Sequence, residues 1–241
     1  MLTIRKTLLP SVAAVLLCTL AGGVEAATWL PAGGGDWSIG SNWDTGLAPN
    51  GVDQVANFIG DTPNGANNDY QITNVSGTVG TLWMEDTAGH DNSGWQPQTG
   101  SLAIDVSSGS GLIHFRESMH EIEIPVTLMD DVDITYTQTL GDHRANLNKT
   151  ISSGTGLTTN VDINRIKPAG DGNYGRVVLY GNNTFNGDLT VHNGNLQIGG
   201  GHAIPDASDL DVKAGAMLTM IAGEAIDGLN GAGTVRTHPG F

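Results

Sequence analysis

The chain has 241 residues, with 10 basic against 25 acidic side chains and a formal net charge of −15. So negative a field repels DNA, RNA and anionic lipid, which argues against nucleic-acid partners. Gly supplies 35 residues, about twice the usual ~7% share, and charged residues only 15%, a composition of short strands joined by tight turns.

The chain opens with Arg5 and Lys6, an apolar run from Leu8 to Leu20, and small residues with Val24 and Ala26 at the −3 and −1 positions of a cleavage site. These features predict a signal peptide over residues 1–26 and export of the remainder, because the run is well short of the ~20 residues a membrane-spanning helix needs. Cys18, the single cysteine, lies inside that run. The exported chain would therefore have no disulfide, no cysteine metal ligand and no membrane span.

Residues 27–165 are expected to form an N-terminal β-rich region. It begins "TWLPAGGGDWSIGSNWD", which contains Trp29, Trp37 and Trp43. Aromatics at the start of a stacked β-structure cap its open end. The competing expectation is a carbohydrate platform using Trp29, Trp37, Trp43 and Trp95, since amphipathic rings serve both purposes. Further along, "EIEIPVTL" and "DVDITYT" alternate polar with apolar residues, so each should have one buried and one wet face.

Residues 166–241 are more regular. "RVVLYG", "GDLTVHN", "NLQIGG", "SDLDVKAG", "AMLTMIAG" and "GTVRT" each read as a short strand with a Gly or Asn stop. Leu189 with Val191, Leu196 with Ile198, Leu210 with Val212, and Leu218 with Met220 each place two side chains on one face. Short, nearly equal steps lead from Leu189 to Leu196, from Leu210 to Leu218, and from Leu218 to Ile226. Short strands at such spacing form either antiparallel meanders or a solenoid. Asn and Gly at the corners favour the solenoid, because they adopt left-handed backbone at least cost. The predicted core of this region is Leu189, Val191, Leu196, Ile198, Leu210, Val212, Leu218, Met220, Ile226, Leu229 and Val235.

The stretch from Leu179 to Val235 resembles the autotransporter-associated β-strand repeat of bacterial exported proteins. The match runs through Gly181, Asn183, Thr184, Phe185 and Gly187 in "GNNTFNG", then Thr190, Val191, Gly194, Leu196 and Gly199. It continues through Ala203, Ile204 and Pro205 in "AIP", Gly215, Ala216 and Leu218, and Ile226, Leu229, Gly231, Gly233 and Val235. The opening "TW…GGGDWS…NWD…AP" is similar to the mature starts of exported proteins carrying such repeats. The resemblance implies an all-β, right-handed parallel β-helix at a bacterial surface or outside the cell, with no catalytic residues.

Motifs for other chemistry are incomplete. "GDGNYG", Gly170 to Gly175, fits a dinucleotide fingerprint formally, but a strand pattern follows where a helix is required. "DDVD" (Asp130, Asp131, Asp133) and Asp171 with Asn173 are the candidate calcium ligands, and neither set supplies the full loop spacing. The seven histidines are dispersed, with no zinc-protease spacing. A β-helix polysaccharide lyase or hydrolase could draw on Arg116, Arg144, Arg165 or Arg176, but a lyase for acidic polymers should offer a positive groove. The expected function is thus a non-catalytic structural or adhesive module without cofactors. Its expected partners are extracellular polysaccharide or cell-surface components, with a carbohydrate-binding module or polysaccharide-degrading enzyme as the alternative.

Overall fold

The computed structural model describes residues 25–62, 69–90, 94–138, 143–166 and 175–237. Cys18 and nearly all of the expected signal peptide lie outside these residues, as do Asp171, Asn173 and all of "GDGNYG" but Gly175. Within them the chain is all-β. One helical element occurs among the described residues, a single 3-10 turn at Gly40–Asn42.

The strands form long parallel sheets. The longest face stacks Ala26–Thr28, Val55–Gly60, Thr81–Asp86, Gly111–Arg116, Val132–Thr137, Val161–Ile166, the start of Leu189–Ile198, Asp209–Val212 and Gly228–Gly231, in chain order and always parallel. A second face stacks Val75–Val79, Gly100–Ile104, Val126–Leu128 and Ile151–Ser153. A third begins with Gly35–Asp36, Tyr70–Thr73 and Trp95–Pro97. It resumes with His120–Ile122, Arg144–Leu147, Arg176–Leu179, the end of Leu189–Ile198, Ala216–Met220 and Thr234–Thr237. Each strand thus pairs with one that comes roughly a full circuit later, an arrangement consistent with a β-helix.

Alternation of side chains about each strand decides what is buried. Ala27, Ala56, Leu82, Ile113, Ile134, Ile163, Val191 and Val212 occupy one register column, and all are buried in a single continuous core. Each rung alone could bury little; stacking gives every inward side chain an apolar neighbour above and below.

The turns explain the spacing of the second half. Leu189–Ile198 is one long strand that serves two faces. Its register against Val161–Ile166 shifts by one residue at His192, and the chain then turns at Gly194, where φ is 78° and a Cβ would meet the Arg165 side chain. The short step from Leu189 to Leu196 is therefore a passage between faces of one circuit. The full circuit runs from Leu189 to Leu210 on one face and from Leu196 to Leu218 on the other, since these are the residues that pair in register.

Stacking and burial cross the expected boundary and thin out at the last rungs. The boundary between residues 165 and 166 falls inside Val161–Ile166, which pairs with strands on both sides of it, so stacking and core run through. Leu189, Val191, Leu196, Ile198, Leu210, Val212 and Leu218 are buried, and Met220 and Ile226 pack against the core half-covered. Leu229 and Val235, however, are 50% and 42% exposed. They continue the Leu210 and Leu218 columns on strands that pair on one side only among the described residues.

Candidate ligand-binding face

The four tryptophans expected to contact carbohydrate do not present their rings to solvent. Trp29, Trp37, Trp43 and Trp95 are all buried. Trp29, Trp37 and Trp43 pack against one another and on Phe58, with ring centres 4.8 to 5.8 Å apart. The Trp29 indole N–H donates to the Gly33 carbonyl and that of Trp43 to the Trp37 carbonyl. Trp95 lies between Phe58 and Tyr70 and donates its N–H to the Glu85 carbonyl. Burial, with internal carbonyl acceptors for the indole N–H groups of Trp29, Trp43 and Trp95, suits a plug for the core and leaves no platform for a sugar ring.

The fifth tryptophan, Trp83, is the one not buried. It stands on the outward side of the long face, between Asn57 and His114 in the same register column. Its ring stacks on the His114 imidazole with centres 3.8 Å apart, and its N–H donates to Glu85 Oε2 at 3.0 Å. Arg116 Nη1 meets Glu85 Oε1 at 2.9 Å. Burial, with smaller contributions from the positive Arg116 and from His120, pushes His114 down to about 4, so the imidazole is neutral at pH 7. It lies 2.5 Å from the Thr135 hydroxyl. The outward column continues in short polar side chains, and His192 bonds to Asp162 at 2.9 Å. The face therefore offers one braced aromatic amid acids, amides and a hydroxyl.

The strand carrying Trp83 ends at Asp86, where the chain turns. The Asp86 carboxylate is fully buried. Its Oδ1 accepts backbone N–H groups of Thr62 and Ala88, and its Oδ2 accepts that of His90 at 2.7 Å. Burial opposes its charge, but these three N–H donors, together with the Thr62 hydroxyl, outweigh that and hold the carboxyl below its ordinary range. Glu85, Asp86, Thr87, Arg116 and Glu117 line a cleft of about 230 Å³. On its far side Glu117 and Ser118 both have left-handed backbone, at φ 52° and 54°, which costs roughly 1–3 kcal/mol per residue and is typical of functional turns. Ser118 is fixed from both ends, its hydroxyl donating to the His90 carbonyl and its own carbonyl accepting from Tyr136.

Among the described residues, the acids named from sequence as calcium ligands do not gather into one close group. Asp130 accepts the Val106 N–H, Asp131 the Asn160 N–H, and Asp133 points outward on the strand. Among the described residues the one group of His and acid side chains gathered closely enough to hold a metal is Asp61, Asp86 and His90. Sequence reading misses it because Asp86 and His90 lie about a full winding beyond Asp61. The circuit length is the signal: Gly60 pairs with Asp86, so one winding carries Asp61 to that corner.

No protein-family model, curated protein or solved structure matches this chain. No helix among the described residues is long and apolar enough to cross a membrane.

Proposed function

We propose that this chain is a non-catalytic, exported structural or adhesive module built as a right-handed parallel β-helix with a Trp-rich N-terminal cap. The observation that carries the reading is the unbroken stacking of inward aliphatic columns from Ala27 to Val212 under a polar, acidic exterior. Such a rod holds its outer side chains at a fixed repeat of about 4.8 Å, which suits a stalk or an extended contact surface. The resemblance of Leu179 to Val235 to autotransporter-associated repeats points the same way, as does the leader-like composition of residues 1–26.

The test is the intact mass of the native product in culture medium and on washed cells. A processed species lacking residues 1–26 in either fraction agrees with the reading. A product that stays inside the cell with those residues attached contradicts it.

A second reading, a carbohydrate-binding module, is favoured by Trp83 alone. Its acidic and amide neighbours can accept and donate to sugar hydroxyls, and His114 braces one side of the indole. Titration with neutral polysaccharides should then change Trp83 fluorescence, and the Trp83→Ala protein should give no response.

A further inference from the structure

We propose that Asp61, Asp86 and His90 form a binding site for one divalent transition-metal ion of the zinc class. The site spans two successive windings at the corner where the strands Val55–Gly60 and Thr81–Asp86 end.

The geometry is that of ligands waiting around a centre. His90 Nδ1 is buried and has no hydrogen-bond partner, although Asp61 Oδ1 lies 3.4 Å away and Asp86 Oδ2 3.5 Å away. Both distances fit ion pairing, yet neither contact has hydrogen-bond geometry. They match the separation of roughly 3.3–3.6 Å between two ligand atoms that share a tetrahedral ion at ~2.0–2.2 Å from each. All three ligand atoms lie within 4.8 Å of one another, and the exposed Asp61 side chain is free to close the remaining gap.

Position identifies the ligand oxygen on Asp86. Oδ1 accepts backbone N–H groups from Thr62 and Ala88, Oδ2 accepts that of His90, and the Thr62 hydroxyl also bonds to the carboxylate. Oδ2 is the oxygen that lies 3.5 Å from His90 Nδ1. The same backbone donors fix the carboxylate's orientation, the role that outer hydrogen bonds play around metal ligands. The His90 main chain is held as well, through its N–H to Asp86 and its carbonyl from Ser118.

The donor set selects the ion. One imidazole nitrogen and two carboxylate oxygens, with a fourth position left to water, suit four-coordinate zinc. Calcium wants six to eight oxygens and gains little from imidazole.

The experiment is calorimetric titration of the chain with Zn²⁺, alongside its Asp61→Asn and His90→Gln variants. Asp61 is 71% exposed, so its substitution does not threaten folding. One Zn²⁺ per chain is expected, weakened at least ~10-fold in each variant, while Ca²⁺ at the same concentrations gives no saturable heat. Absence of saturable Zn²⁺ binding, or binding that both variants leave unchanged, overturns the proposal. Ca²⁺ binding that the variants abolish overturns the choice of metal class.

Discussion

The Trp83 indole and the His114 imidazole stack with ring centres 3.8 Å apart and planes 31° apart, on adjacent strands of the long face. They are remote in sequence, and only the winding of the chain brings them together. Their partners are equally remote: Arg116 joins Glu85 across the same two strands, and Thr135 reaches His114 from the next.

Quenching of tryptophan fluorescence by acrylamide, a neutral probe that the acidic surface does not repel, should resolve two populations. Trp29, Trp37, Trp43 and Trp95 are buried and should be protected. The accessible component should belong to Trp83 and disappear in the Trp83→Phe protein. Quenching that persists there would mean the N-terminal aromatic plug is open.

Core truncations should separate the middle of the stack from its last rungs. Leu196 is fully buried, with Val177 and Leu218 as its register neighbours. Leu196→Ala should cost about 2–5 kcal/mol in chemical denaturation. Leu229→Ala removes a half-exposed side chain and should cost less than about 1 kcal/mol. Equal costs would contradict the difference in coverage.

Asn183 is a buried staple between windings. Its Oδ1 accepts the Ile151 N–H at 2.8 Å and its Nδ2 donates to the Ala203 carbonyl at 2.6 Å. Asn183→Ala orphans both backbone groups and should destabilise by roughly 1–3 kcal/mol for each. Asn183→Asp can still accept from Ile151 but brings a charge to the Ala203 carbonyl, so it should not rescue. Rescue by Asp would mean that only the Ile151 bond matters.

Acid should weaken the fold through its buried histidines. Burial pushes His120 down to about 4, as it does His114. Above pH ~6.5 both are neutral in the folded and the unfolded chain and have no effect on stability. Between pH ~6.5 and ~4 the unfolded chain takes up protons that the folded chain refuses, so stability falls as pH falls. Burial raises Asp69, Asp105 and Asp133, which bind protons early in the folded state and partly offset this loss. The stabilisation from Asp36, Asp53 and Asp86, whose carboxyls are held low, disappears only at still lower pH. The melting temperature should therefore drop between pH ~6.5 and ~4.5. His120→Gln should flatten that limb relative to its own value at neutral pH, and an unchanged slope would contradict the assignment.

The class of fold was legible from residue order, because period-two alternation and Gly or Asn stops are local signals. Leu189, Val191, Leu196 and Ile198 are buried as their pattern requires. Circuit length was not legible, because the short step from Leu189 to Leu196 reflects a corner at Gly194 and the windings themselves are unequal. Asp209 finds its partner at Gly228, whereas Thr81 pairs only as far on as Leu112, a considerably longer winding. Without that length neither the Trp83 and His114 stack nor the approach of Asp61 to Asp86 can be derived. Nor does sequence distinguish a tryptophan that plugs from one that faces water. Trp37 follows a two-residue strand in the N-terminal cap and is buried, whereas Trp83 stands mid-strand on the outward side of the long face.

Successive windings stack in register, and cysteine cross-linking across the outward column measures this directly. In a Cys18→Ser background, cysteines replacing Thr135 and Asn164 occupy adjacent rungs. Neighbouring strands lie about 4.8 Å apart, within the ~4.4–6.8 Å Cα separation a disulfide accepts. Cysteines replacing Thr135 and Asn193 are two rungs apart, at about 10 Å. Mild oxidation should give rapid intramolecular closure in the first protein and none in the second. Closure of both pairs at similar rates, or of neither, would contradict parallel in-register stacking.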